Sequence, residues 1–257
     1  MKTYISLWIM CTGLCAGSQN LTSSDQIKLD QILANKSTLD EKSDLEGWIL
    51  FETQNGESVF FNKKGVLQLN LGKRFDWVDG FYGSELAKVS KNNRLGFINK
   101  KGEVVIPFDF ENVKVFSNGL AAVMMLGKHG FIDTTGKLVI PFLYEDAGYF
   151  GNGLAPVKKN GNFGFMDRKG TLTIPHKYDD AKSFYNGRAA VKLDTYNSTT
   201  AEEVGKWGFI DTTGKLIIPY NYAVVGNFTS NFTVKVTLPD GSSSGDVHFI
   251  DVHGNRL

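Results

Sequence analysis

The residues with the types to do chemistry are a glycine-flanked serine, four histidines and several neighbouring carboxylates. Gly241-Ser242-Ser243-Ser244-Gly245 satisfies G-x-S-x-G, the spacing of a nucleophile elbow. An elbow needs a strand before it, a helix after it, and a histidine and acid in the right order. This stretch reads instead as a Ser-rich loop between short strands. Gly151-Asn152-Gly153 begins like a dinucleotide fingerprint, but Pro156 stands where the third glycine belongs. His129, His176, His248 and His253 show no H-E-x-x-H or other zinc spacing. Glu145-Asp146 and Asp179-Asp180 could serve glycosidase chemistry only if placed across a cleft; they recur in one register, which fits turns better. Asp109 and Glu111 are too sparse for a calcium loop. The sequence therefore assigns no catalytic residue and no metal ligand, calls for no cofactor, and leaves the ligand-binding residues unknown.

What must position any site is a unit written four times. Gly96-Phe97-Ile98-Asn99 leads to Gly102 and Ile106-Pro107; Gly130-Phe131-Ile132-Asp133 leads to Gly136 and Ile140-Pro141. Gly164-Phe165-Met166-Asp167 leads to Gly170 and Ile174-Pro175, and Gly208-Phe209-Ile210-Asp211 to Gly214 and Ile218-Pro219. With the weaker copies at Gly65 and Gly254, the closing glycines are spaced by 37, 34, 34, 44 and 40 residues. A fixed period of this kind marks a repeat architecture with atypical terminal copies. The longest excess falls on Asp194 to Gly205, a polar stretch expected to be a loop inserted between strands.

Within one unit, Leu154 to Lys158 and Phe163 to Asp167 read as strands joined by Asn160-Gly161, a strong hairpin signal. Asp167 and Gly170 suit a type I turn followed by a left-handed glycine. Thr171 to Ile174 reads as a third strand that Pro175 should stop. Asn118-Gly119-Leu120, Asn152-Gly153-Leu154 and Asn186-Gly187-Arg188 form a second landmark, each led by an aromatic at Phe116, Phe150 or Phe184.

The chain has 257 residues and a formal net charge of +1. No basic tract stands out, which argues against nucleic-acid binding and against anchoring on an anionic membrane by charge alone. Residues 1–17 read as a secretory signal: Lys2, an apolar run from Tyr4 to Leu14, then Cys15-Ala16-Gly17. Cys11 and Cys15 both lie in it, so a mature chain would have no thiol. A lipid anchor on Cys15 is the lesser alternative to simple cleavage, because Leu14 replaces the small residue lipidation favours. Residues 18–46 are polar, with Ser23-x-x-Gln26 as a capping box and Ile27, Leu29, Ile32 and Leu33 as a helical stripe over Asp25 to Asn35. A helix there would cover the open end of the array. No membrane insertion is expected after signal cleavage, and the oligomeric state is left open.

The full pattern, best seen in Lys206-Trp207-Gly208-Phe209-Ile210-Asp211-Thr212-Thr213-Gly214-Lys215-Leu216-Ile217-Ile218-Pro219, resembles the bacterial WG repeat (KWG) family. Leu95, His129 and Phe163 stand where the name-giving tryptophan sits in the other copies. The resemblance covers residues 47–257. It implies an all-β repeat module of envelope and secreted proteins, and supplies no catalytic residues.

The expected architecture is thus all-β: an array of five to six three-stranded antiparallel units over residues 47–257, behind a signal (1–17) and a short helix (within 18–46). An open, solenoid-like superhelix is the first choice and a closed small-bladed propeller the second. Tyr144, Tyr178, Tyr222 and Phe110 share one register. They form either an aromatic ladder for sugars or peptides or, the favoured reading, inter-repeat core. Asp133-Thr134-Thr135 and Asp211-Thr212-Thr213 read as O-glycosylation signals or as ordinary turns. The expected function is a non-catalytic secreted or envelope module binding a protein, peptide or glycan. A ligand-free spacer is the alternative, and a hydrolase the least supported. Specificity is expected where copies differ: at Leu95, His129, Phe163 and Trp207, in the 194–205 loop, and at the degenerate ends.

Overall fold

A computed structural model describes residues 21–34, 47–81, 85–197, 202–227, 233–238 and 247–257. The signal segment, Cys11, Cys15 and the Gly241 to Gly245 stretch lie outside them. The chain opens with a helix, α1 (Ser23–Ala34), and continues entirely in strands. The first sheet is β1 (Trp48–Glu52), β2 (Ser58–Asn62) and β3 (Leu67–Gly72). The second is β4 (Trp77–Val78), β5 (Leu86–Lys91), β6 (Arg94–Asn99) and β7 (Val104–Phe110), and the third β8 (Asn112–Val113), β9 (Leu120–Met125), β10 (Lys128–Asp133) and β11 (Leu138–Tyr144). The fourth is β12 (Asp146–Ala147), β13 (Leu154–Lys159), β14 (Asn162–Asp167) and β15 (Leu172–Tyr178), and the fifth β16 (Asp180–Ala181), β17 (Ala189–Asn197), β18 (Glu202–Ile210) and β19 (Leu216–Tyr222). The sixth is β20 (Val224–Val225), β21 (Thr233–Thr237) and β22 (Val247–Asp251). Every pairing is antiparallel. The expected three-stranded unit gains a two-residue first strand, so each of the four inner sheets is a four-stranded meander.

The Phe-Ile pair explains why the sheets stack. Side chains alternate across a strand, so Phe131 and Ile132 point to opposite faces. Phe131 joins a core with Ala147, Phe150, Ala155 and Val157 of the next unit. Ile132 joins one with Phe97, Ile106 and Leu86 of the unit before. A sheet buried on both faces needs apolar residues at consecutive positions, which is why the strands read as near-continuous hydrophobic runs rather than clean alternation.

The turn glycine closes each seam. The α-carbon of Gly136 rests against Ile106 of the preceding unit, Gly170 against Ile140, Gly214 against Ile174 and Gly254 against Ile218. Gly170 takes φ +85° and donates to the Asp167 carbonyl at 3.0 Å, while the Asp167 carboxylate accepts the Lys169 and Thr171 amides at 2.8 and 2.9 Å. The turn is as expected from its Asp and Gly. The Asn160-Gly161 hairpin also forms as read, with φ of 52° and 81°.

Three expectations need correction. Pro175 does not end its strand: β15 runs on to Tyr178. Phe165 faces Ile174 while Phe163 faces Tyr178, so the outer strand carries two extra residues at the proline. β15 is the edge of its sheet, where a missing N–H costs little. The bulge presses on the facing glycine: a Cβ on Gly164 would sit 2.6 Å from the Ile174 carbonyl oxygen. The Gly of Gly-Phe and the Pro of Ile-Pro are therefore two halves of one contact. The 194–205 insertion is mostly ribbon rather than loop, since β17 and β18 pair from Ala189↔Ile210 out to Asn197↔Glu202. And the helix begins earlier than expected: Thr22, not Ser23, is the cap. Its Oγ1 accepts the Asp25 amide at 3.1 Å.

α1 ends the array at its first sheet. Leu29 is buried with Phe51, Val59 and Phe61, and Leu21, Ile32 and Leu33 pack beside them; Ile27 is exposed instead. A Cβ on Gly65 would meet Leu33 at 2.9 Å, so Leu33 takes the place that the Ile of a preceding unit takes elsewhere. The helix occupies the side where a sixth sheet would have to pack to close a ring. Among the described residues no core cluster joins the sixth sheet to the first. The array is open.

Candidate functional site

Most chemically equipped residues are consumed by the fold. Glu145 accepts the Asn160 and Gly161 amides at 2.9 and 3.0 Å, clamping the hairpin turn of its own unit. Those amide bonds hold its carboxyl below the ordinary range against the opposing effect of burial. Glu111 does the same for Leu126 and Gly127, and Asp179 for the Asp194 amide. The neighbouring acids are thus turn clamps, and among the described residues no two carboxylates converge across a cleft. Thr135 and Thr213 donate their hydroxyls to Asp133 and Asp211, each at 2.6 Å, within the turns they belong to. Gly151 is the close-approach point of the Asn-Gly turn: a Cβ there would overlap the Phe184 carbonyl.

Phe110, Tyr178 and Tyr222 are buried and Tyr144 is partly so, which makes that register inter-repeat core. The tryptophan slot is buried too. His129, Phe163 and Trp207 pair across the bulge with Tyr144, Tyr178 and Tyr222. The slot expected to carry specificity therefore offers little surface: His129, Phe163 and Trp207 are buried and Leu95 partly so. His129 Nδ1 lies 3.2 Å from the Glu145 carbonyl. Burial pushes its pKa down, with nearby Asp146 opposing. His176 and His248 are partly buried, each with its Nδ1 shut off from solvent and without a hydrogen-bond partner, and His248 lies edge-on to Tyr222 at 6.3 Å. Among the described residues no cluster of three or more metal-ligating side chains forms.

What remains is a groove that sequence reasoning missed. The two-residue strand β12 pairs with β13, after which the Gly148 amide donates to the Pro156 carbonyl at 2.8 Å. Lys114, Lys182 and Gly226 make the same bond in their own units, to Ala122, Ala190 and Lys235. These positions, and the residues after them, line up from unit to unit. Hydrogen bonds stitch the line: the Tyr149 amide to Ser183 Oγ at 3.1 Å, Ser117 Oγ to the Phe150 carbonyl at 2.6 Å, and the Gly187 amide to Asn152 Oδ1 at 3.0 Å.

Along this line lie two adjoining depressions of about 260 and about 220 Å3, sharing Tyr149, Lys182, Ser183 and Asn227. The larger adds Tyr185, Arg188 and Phe209; the smaller adds Lys114, Asp146, Pro156 and Phe163. Lys182 Nζ donates to the Val225 carbonyl at 2.9 Å and lies 5.8 Å from the Trp207 ring centroid. Arg188 Nε donates to the Val252 carbonyl at 3.0 Å. Lys182 is held by neutral groups, so its charge still faces the groove, whereas Arg188 also feels the Asp211 carboxylate. Lys114 lies 3.8 Å from Asp146. Gly148 keeps the floor open, since a Cβ there would meet Pro156 and the Ser183 hydroxyl within 3 Å. The signal for this site was the pair just before each recurrent aromatic, which reads Lys114-Val115, Gly148-Tyr149, Lys182-Ser183 and Gly226-Asn227 and differs in every copy.

A further cavity of about 180 Å3 lies between α1 and the first sheet. Its acid, Asp25, is 2% exposed. Burial raises its pKa, but bonds from the Thr22 hydroxyl and the Gln54 amide outweigh that and hold it below the ordinary range. It is a packing seam with its charge already spoken for.

The model of the WG-containing repeat matches residues 96–128, 130–163, 163–194 and 207–234. The chain is a WG-repeat protein. No curated protein matches the sequence. Among solved structures, a eukaryotic initiation factor is similar over 84% of this chain at 12% identity and a TM-score of 0.58. The dihydro-heme d1 dehydrogenase NirN matches 84% at 12% identity and 0.48, and PorZ of Porphyromonas gingivalis 82% at 9% and 0.43. The WG-repeat chain spans 63, 55 and 30% of those three chains. At that identity the likeness to the initiation factor concerns fold alone, a propeller-like arrangement of small sheets.

Proposed function

We propose that this WG-repeat protein is an exported, non-catalytic binding module that holds its ligand in the groove between Lys114 and Arg188. One observation carries the reading. The residues common to the copies have jobs in strands, turns and seams, Phe209 of the groove floor among them, whereas Lys114, Tyr149, Lys182, Ser183 and Asn227 of its lining come from positions that differ from copy to copy. A repeat array offers an extended surface for such use. Export is supported by Lys2 and the apolar run from Tyr4 to Leu14. The non-catalytic reading is supported by where the acids and histidines go, into turns and cores rather than toward one another.

The test is a glycan and peptide array probed with the full chain and with a Tyr149→Ala/Lys182→Gln double variant whose melting is checked first. A control variant, Val139→Thr, changes an exposed strand residue outside the groove. Retained ligands should be lost by the double variant and kept by the control. A ligand kept by both would place binding elsewhere, and no retained ligand at all would favour a spacer.

A further inference from the structure

The chemistry of the groove points to its ligand class, and this inference rests on the binding reading above. We infer that the groove takes a carboxylate-bearing saccharide, of the uronic-acid type. Three cations line it, Lys114, Lys182 and Arg188, against one carboxylate, Asp146. Arg188 also lies near enough to Asp211 to help hold that acid ionised, so the strongest unanswered charge is at Lys182, between the two depressions. An anion seated there would find Nζ already oriented by the Val225 carbonyl and the Trp207 ring. Hydrogen bonds to a charged group are the stronger kind.

The remaining lining is hydroxyl, amide and tyrosine. Ser183 and Asn227 suit sugar hydroxyls. Tyr149 and Tyr185 are 38 and 40% exposed and present ring faces with polar tips, the amphipathic surface that sugar rings stack on. A peptide would want apolar pockets for alternate side chains, and the apolar floor here, Phe163 and Phe209, is already buried. A nucleic acid would want a concentrated run of cations, and these three come from two units, the third and the fifth, with a whole unit between them.

The test is calorimetric titration of the full chain with oligogalacturonate, a neutral glucose oligomer of the same length, a poly-glutamate peptide and a single-stranded oligonucleotide. Oligogalacturonate should bind, and weaken about tenfold between low and half-molar salt as screening shortens the reach of the cations. Lys114→Gln and Lys182→Gln should each cost about fivefold, a partly exposed charge contact being worth that much. Tyr149→Phe should keep binding and Tyr149→Ala lose it. Equal or tighter binding of the neutral sugar, the peptide or the oligonucleotide, still sensitive to Lys182→Gln, would overturn the uronate assignment and leave the groove standing. Failure of all four ligands, or binding indifferent to every groove variant, would overturn both.

Discussion

The two ends of the array present opposite faces of the same meander sheet and treat them very differently. At the first sheet, α1 lays Leu29, Ile32 and Leu33 over Phe51, Val59 and Phe61, and Leu33 stands in for the isoleucine of a missing unit. At the sixth sheet, nothing among the described residues covers the outward face. Phe249, the counterpart of Phe131 and Phe165, is 48% exposed, whereas those two are 0% exposed. Val224 and Val247 are exposed beside it, and Lys235 stands where Ala122 and Ala190 stand inside. The interior second sheet carries a lysine at that same position, Lys88 opposite Phe97, so what sets the sixth sheet apart is its exposed Phe249. One end is sealed by packing; the other keeps apolar side chains at its surface.

The largest test of that contrast is a matched pair of truncations. Phe165→Ala should cost about 3–5 kcal/mol in urea unfolding, as buried aromatics do, while Phe249→Ala should cost under about 1 kcal/mol. Equal losses would mean the sixth sheet is covered in solution. Next comes the sealed end: Leu29→Ala should remove about 2–4 kcal/mol, and hydrogen exchange should show the loss confined to β1–β3 rather than spread to β21 and β22. Loss of the cap is smaller. Thr22→Ala should cost about 1 kcal/mol, with the same local exchange signature.

The smallest effect concerns the interior clamps that both ends lack in this form. The backbone amides of the hairpin hold the Glu145 carboxyl below the ordinary glutamate range in the folded chain, so the unfolded chain binds its proton more readily. Its contribution is complete above that ordinary range and is lost as pH falls through the lower, folded value. A pH series of unfolding midpoints should show wild type losing slightly more stability below pH 4.5 than Glu145→Gln. Parallel curves would show that the clamp is not felt in stability.

Much of this was legible in the chain because period and turn chemistry are local. Asn160-Gly161 and Asp167 with Gly170 fix their turns through φ and short-range hydrogen bonds, and Phe131-Ile132 announces a strand with two buried faces. What was missed is non-local. β12 has two residues, too few to leave a pattern, and exists only because β13 pairs with it. Pro175 reads as a stop unless one knows that its strand is a sheet edge and that Gly164 makes room for the bulge. The polar stretch after Asp194 reads as a loop because ribbon pairing there is carried by backbone groups, which leave no trace in side-chain type. The groove was hidden most deeply: Lys114, Tyr149, Lys182 and Asn227 belong to four successive copies, and only stacking brings them together.

The glycine resting on an isoleucine has a consequence for how such a chain can change its length. Because Gly136, Gly170, Gly214 and Gly254 all close on an isoleucine of the copy before, each joint presents the same two halves. A genetic duplication or deletion of one whole copy would rejoin a glycine to an isoleucine and leave no new surface to be fitted. The first copy is excluded from that exchange, since its Phe51 and Phe61 are shaped to a helix. Growth and shrinkage are thereby confined to the middle of the gene, and each such event would lengthen or shorten the groove by one pair of lining residues.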